Sequence, residues 1–66
     1  MSERPTEASG EGAGRLVLVV EAEPQVLRFL RASLGAHGYR LVEATTGQQA
    51  LVEAATRAPD LVLLDL

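Results

Sequence analysis

The sequence predicts an α/β fold: a truncated flavodoxin-like doubly wound parallel sheet, running strand-helix-strand-helix-strand with strand order 2-1-3. Three observations carry this. Leu16 to Val20 is a continuous apolar run, the pattern of a strand covered on both faces and typical of parallel sheets. Two stretches of helical periodicity follow, separated by a short extended segment. A second buried-type run, Leu61-Val62-Leu63-Leu64, delivers Asp65 to its C-terminal end.

The elements follow in order. Leu16 to Val20 is the first strand. Pro24 suits a first helical position, where its missing N–H would have no partner anyway. At 100° per residue, Val26, Phe29, Leu30 and Leu34 fall on one side, with Leu27 at the margin and Arg28 and Arg31 away from its centre. The helix runs to about Ala36 or His37, and Gly38 can take the left-handed conformation that ends it. Tyr39 to Ala44 is a second strand. Thr46-Gly47-Gln48-Gln49 fits a capping box, with Thr46 accepting from the backbone and Gln49 reaching back. Ala50, Leu51, Ala54, Ala55 and Ala58 form an apolar stripe whose small side chains let the second helix lie close to the sheet. Pro59-Asp60 breaks that pattern and starts the third strand. Two right-handed βαβ crossovers make the strands parallel neighbours. If the third returns beside the first, the first becomes central, with one helix on each face.

Composition excludes several classes of function. The chain has 66 residues, no cysteine and a single histidine, His37, so it offers no disulfide, thiolate nucleophile or zinc site. Six basic residues against nine acidic ones give a net charge of -3, without the basic footprint of nucleic-acid binding. All six basic residues are Arg, so lysine chemistry is excluded. Residues 1–14, with alternating Gly10, Gly12 and Gly14, bury too little apolar surface to offset ordering entropy and read as a disordered tail. They contain no signal-peptide core, and no run approaches the ~18 apolar residues of a membrane helix, so a soluble, cytoplasmic protein is expected. A dinucleotide fingerprint is excluded by position: the glycines precede the first strand instead of opening the first helix.

The chemistry then falls on acids at strand ends. In open parallel sheets, reactive groups sit outside the carboxyl ends of the strands. With strand order 2-1-3, Glu21 and Asp65 share one rim across roughly 4.8 Å. Two carboxylates so placed repel, and a shared proton or a hard cation such as magnesium relieves this. The alternative is that Asp65 ends a strand in solvent while Glu21 and Glu23 favour the positive end of the following helix. His37 near a helix end, Arg28 and Arg31 on a solvated face, Tyr39 in packing and Thr46 as a cap have structural readings only; Thr45 lies near the same rim.

These residues carry a resemblance. The run Leu16-Val17-Leu18-Val19-Val20-Glu21-Ala22-Glu23-Pro24-Gln25, then Arg28-Phe29-Leu30-Arg31, Gly38-Tyr39-Arg40, Glu43-Ala44, Thr46-Gly47 and Pro59-Asp60-Leu61-Val62-Leu63-Leu64-Asp65-Leu66, resembles the first half of a CheY-like response-regulator receiver domain. Its details are most similar to the KdpE-type potassium-transport regulators of the winged-helix class. The resemblance covers nearly all of residues 15–66. It implies a phosphorelay with a sensor histidine kinase, no enzyme activity in the ordinary sense, and a role in transcription regulation. It implies that Asp65 is the phosphoacceptor and that Glu21 is the first of two magnesium-holding acids. The second of those acids is replaced by Ala22, whose methyl group cannot coordinate a metal, so magnesium binding is expected to be weak or lost. Glu23 is a further candidate ligand. The family's later strands and helices, its hydroxyl and lysine switch residues and its DNA-binding domain have no counterpart in residues 15–66, so no direct DNA contact is expected of this chain. A bare third-strand edge also implies marginal stability and possible self-association. The alternatives are a non-catalytic remnant acting by protein contact, or an inert truncated product.

Overall fold

The computed structural model describes residues 12–65. Five elements follow in order: β1 (Leu16–Val20), α1 (Pro24–Ala36), β2 (Arg40–Ala44), α2 (Gly47–Arg57) and β3 (Leu61–Leu64). The strands form one sheet in the order β2-β1-β3. Both pairings are parallel, with Leu18 opposite Val42 on one side and Val62 on the other. This is the predicted truncated flavodoxin-like arrangement.

The apolar run of β1 is buried because it is central. Val17, Leu18 and Val19 are at most 1% exposed. Alternation along the strand splits these side chains between two faces. Val17 and Val19 meet Leu27, Leu30 and Leu34 of α1, joined by Tyr39, Leu41 and Leu63. Leu16, Leu18 and Val20 meet Val42 and Ala44, with Ala50 and Ala54 of α2 over them. One helix therefore covers each face.

Both helices are rotated from the orientation that periodicity predicted. Leu27, assigned to the margin, is the buried residue of α1, while Phe29 is 68% exposed. Two overlapping stripes were available, and the i, i+3, i+7 set Leu27, Leu30 and Leu34 is the one that meets Val17 and Val19. On α2 only Ala50 and Ala54 reach the core, and Leu51 is 73% exposed. A line of alanines at i, i+4 allows close approach; the longer Leu51 lies off that line.

The helix ends match their signals. Thr46 Oγ1 accepts from the Gln49 amide at 3.1 Å, and Gln49 Oε1 accepts from the Thr45 amide at 2.9 Å, one residue earlier than a standard capping box. Gly38, at φ +90°, follows α1 in the left-handed region. Ala58 ends α2 at φ +48°, a conformation that costs a residue bearing a Cβ.

Of the tail assigned to residues 1–14, residues 1–11 lie outside the described residues. Gly12 and Gly14 donate their amides to the His37 and Gly38 carbonyls at 2.8 and 2.9 Å. Glycine is required for that approach: a Cβ on Gly12 would lie 2.5 Å from the Tyr39 nitrogen. The sheet's N-terminal end is fastened separately. Asp60 Oδ2 accepts from the Leu16 amide at 2.8 Å, and the Asp60 amide donates to the Leu16 carbonyl at 2.8 Å.

Two stability outcomes follow. Leu18→Ala removes a filled core position at a cost of about 2–5 kcal/mol, as large as the ~3–5 kcal/mol available to so small a core. Far-UV circular dichroism should then show no cooperative melt. Asp60→Ala should cost about 1–3 kcal/mol by stranding the Leu16 amide, whereas Asp60→Asn, which keeps an acceptor, should lose much less in a urea titration.

Candidate functional site

The rim is built by extending both strand pairings one residue past the strands. Val20 lies opposite Leu64, so Glu21 and Asp65 come next in the same register. The Glu21 amide donates to the Ala44 carbonyl at 2.9 Å, and the Asp65 amide donates to the Val20 carbonyl at 3.2 Å. Backbone bonds thus fix both acids at the carboxyl ends of neighbouring strands. Alternation puts them on the face of Val19 and Leu63, beneath α1. There they border an open cleft of about 260 Å³ lined by Val19, Val20, Leu30, Leu63 and Leu64 as well as the two acids.

The two carboxylates have different surroundings. Asp65 is exposed. Glu21 is only 8% exposed, and its Oε2 accepts from the Glu23 amide at 3.1 Å. This bond closes the turn between β1 and α1. Ala22 is exposed within that turn, and Glu23 is the exposed N-cap residue of α1, making no side-chain cap bond. The structure therefore brings Glu21 and Asp65 together, while Glu23 lies outside the cleft lining.

A second charged feature was missed by sequence reasoning. Arg31 on α1 grips Glu43 on β2 with two parallel bonds, Nε to Oε2 at 2.8 Å and Nη2 to Oε1 at 2.9 Å. Helical periodicity alone places Arg31 on a solvated face. Its partner belongs to another element, and helical periodicity carries no signal for such a contact. The hydrogen bonds and charge of Arg31 hold the Glu43 carboxyl below its usual range, and Glu43 in turn raises the Arg31 guanidinium. With side chains 56% and 29% exposed, the pair is screened by solvent and contributes modestly.

No protein-family model matches the chain. Curated relatives do. Over 50 residues the chain is 56% identical to the KDP operon transcriptional regulatory protein KdpE of Escherichia coli (strain K12), covering 76% of this chain and 22% of that protein. It is 53% identical over 51 residues to the transcriptional regulatory protein KdpE of Mycobacterium tuberculosis (strain ATCC 25618 / H37Rv), covering 77% and 23%. It is 38% identical over 50 residues to the alkaline phosphatase synthesis transcriptional regulatory protein PhoP of Bacillus subtilis (strain 168), covering 76% and 21%. Over the matched residues the chain is similar to KdpE-type response regulators. It spans less than a quarter of the length of these relatives, which are transcriptional regulatory proteins. Among the described residues, no helix is long and apolar enough to cross a membrane.

The magnesium ion that the receiver resemblance implies is not matched by the donors at this rim. Among the described residues, no group of three or more His, Cys, Asp or Glu side chains is placed to hold a metal. Ala22 supplies no side-chain oxygen, and one oxygen of Glu21 accepts from the turn.

The Arg31–Glu43 pair sets a pH dependence. Because the folded-state pKa of Glu43 is depressed, the pair's contribution is present above the ordinary value of 4.5 and is lost as pH falls through the lower folded value. Arg31→Ala should therefore destabilise the chain at neutral pH but not below the folded-state titration of Glu43. Urea midpoints across that range, compared at low and high salt, measure the difference.

Proposed function

We propose that the chain serves as the N-terminal portion of a receiver domain in a two-component phosphorelay, with Asp65 as its nominal phosphoacceptor and a sensor histidine kinase as its partner. The observation supporting this most strongly is the exposed Asp65 carboxylate at the end of β3, backbone-bonded to β1 and beside Glu21 at the mouth of the cleft. The relatives' identity as transcriptional regulators supports the same reading, and a cytoplasmic location is part of the proposal.

The chemistry asked of this chain is small. One Asp65 oxygen attacks the phosphorus of a kinase phosphohistidine, forming a P–O bond as the P–N bond breaks. The leaving imidazole keeps the bonding pair and takes up a proton. Phosphoryl transfer depends mainly on positioning and on charge neutralisation at the equatorial oxygens. The parallel ladder positions Asp65, but the chain's own rim offers little positive charge. Slow transfer is the consequence.

A second reading is favoured by a separate observation. Leu61, Val62 and Leu64 of β3 are 50%, 49% and 59% exposed, and among the described residues β3 pairs only with β1. An apolar strand edge of this kind promotes strand addition. On this reading the chain acts by protein contact alone, with a kinase, a full-length regulator or itself.

Incubation with a KdpE-partner sensor kinase and radiolabelled ATP separates the two. Acid-stable, base-labile label on the wild-type chain, absent from Asp65→Asn, is the result expected for transfer. Kinase binding without label, or concentration-dependent oligomers in light scattering, would favour the contact reading.

A further inference from the structure

We propose that Glu21 latches the β1–α1 turn in this chain instead of serving as a metal ligand, and that the Glu21–Asp65 rim therefore takes no divalent cation. The inference goes beyond the phosphorelay reading and stands on the start of α1. The two helices begin differently. In α2, Thr46 accepts from the Gln49 amide and Gln49 reaches back to the Thr45 amide, so side chains satisfy both sides of the cap. In α1 the N-cap is Glu23, whose side chain makes no cap bond, and Pro24 has no amide to offer. A capping box would satisfy the N-cap amide from the third helical residue, but that residue is Val26, which has no acceptor.

Glu21 supplies the missing acceptor from upstream. Its Oε2 takes the Glu23 amide at 3.1 Å, and its carboxylate sits at the positive end of a 13-residue helix. This also accounts for its burial. A carboxylate only 8% exposed loses most of its hydration, and a charge-assisted bond to a backbone amide beside a helix terminus is a recognised way to offset that loss.

A magnesium ligand has a different requirement. It must aim a lone pair at an ion about 2.0–2.1 Å away in near-octahedral geometry. Glu21 aims one oxygen at an amide; residue 22, the next rim position, ends in a methyl group; and Glu23 lies outside the cleft lining. Among the described residues, Asp65 is then the one carboxylate at the cleft not committed to the backbone turn, and one exposed carboxylate is a poor competitor with water for magnesium.

The test uses the 66-residue chain labelled with ¹⁵N and needs no kinase, so its failure is distinct from failure of the phosphorelay reading. Magnesium chloride is titrated while the amide signals of Glu21, Glu23 and Asp65 are followed. The wild type should show no saturable shift up to ~20 mM, while Ala22→Asp should restore one and tighten apparent affinity at least about tenfold. Hydrogen exchange of the Glu23 amide reads the latch directly. Glu21→Gln keeps an oxygen acceptor and should stay within about threefold of wild type, whereas Glu21→Ala should exchange at least about tenfold faster. A saturable wild-type magnesium shift that Glu21→Gln abolishes would overturn the proposal. So would an Ala22→Asp chain that stays blind to magnesium, or a Glu23 amide indifferent to Glu21→Ala.

Discussion

Everything in this molecule depends on β1 lying between two parallel partners. Its five residues carry both cores, since alternate side chains feed the α1 face and the α2 face. The same pairings bring the ends of β1 and β3 into register, which is what places Glu21 beside Asp65. Remove the central position of β1 and the chain loses its packing and its rim together. Stability and site are one constraint here, unlike folds in which functional loops stand apart from the scaffold.

The rim also shows how one residue can be drawn into a local task. The β1–α1 connection is three residues long, and its amides must find acceptors before the helix ladder begins. Glu21 meets part of that demand from inside the fold. Asp65, by contrast, is held by its backbone alone and leaves its carboxylate exposed. Two acids of similar chemistry thus have separate roles, set by burial and hydrogen bonding, not by residue type.

The apolar surfaces that remain uncovered are not scattered at random. They comprise Phe29 on α1, Leu51 and Val52 on α2, and Leu61, Val62 and Leu64 on β3. Isolated exposed apolar residues are ordinary, but an apolar strand edge together with outward-facing apolar residues on both flanking helices is not. The helical periodicity of α1 was ambiguous because two overlapping apolar stripes are present. Val26 and Phe29 sit at helical spacing just as Leu27 and Leu30 do, and only the former pair lacks a covering partner among the described residues.

By itself, the sequence determined the element types, their order and the parallel class. Those rest on local signals: two-sided apolar runs, a proline at a helix start, a glycine at a helix end, and Thr46 with Gln49 at a cap. It also determined that an acid ends β3 and that residue 22 carries no side-chain oxygen. Tertiary structure decided which stripe of α1 turns inward, that Arg31 meets Glu43, that Asp60 fastens β1, and that Glu21 folds back onto the Glu23 amide. The physical reason is range. Propensity and capping act over a few residues, whereas each of the first three outcomes joins residues from different elements; the fourth is local in sequence but depends on the burial of Glu21 between β1 and its neighbours.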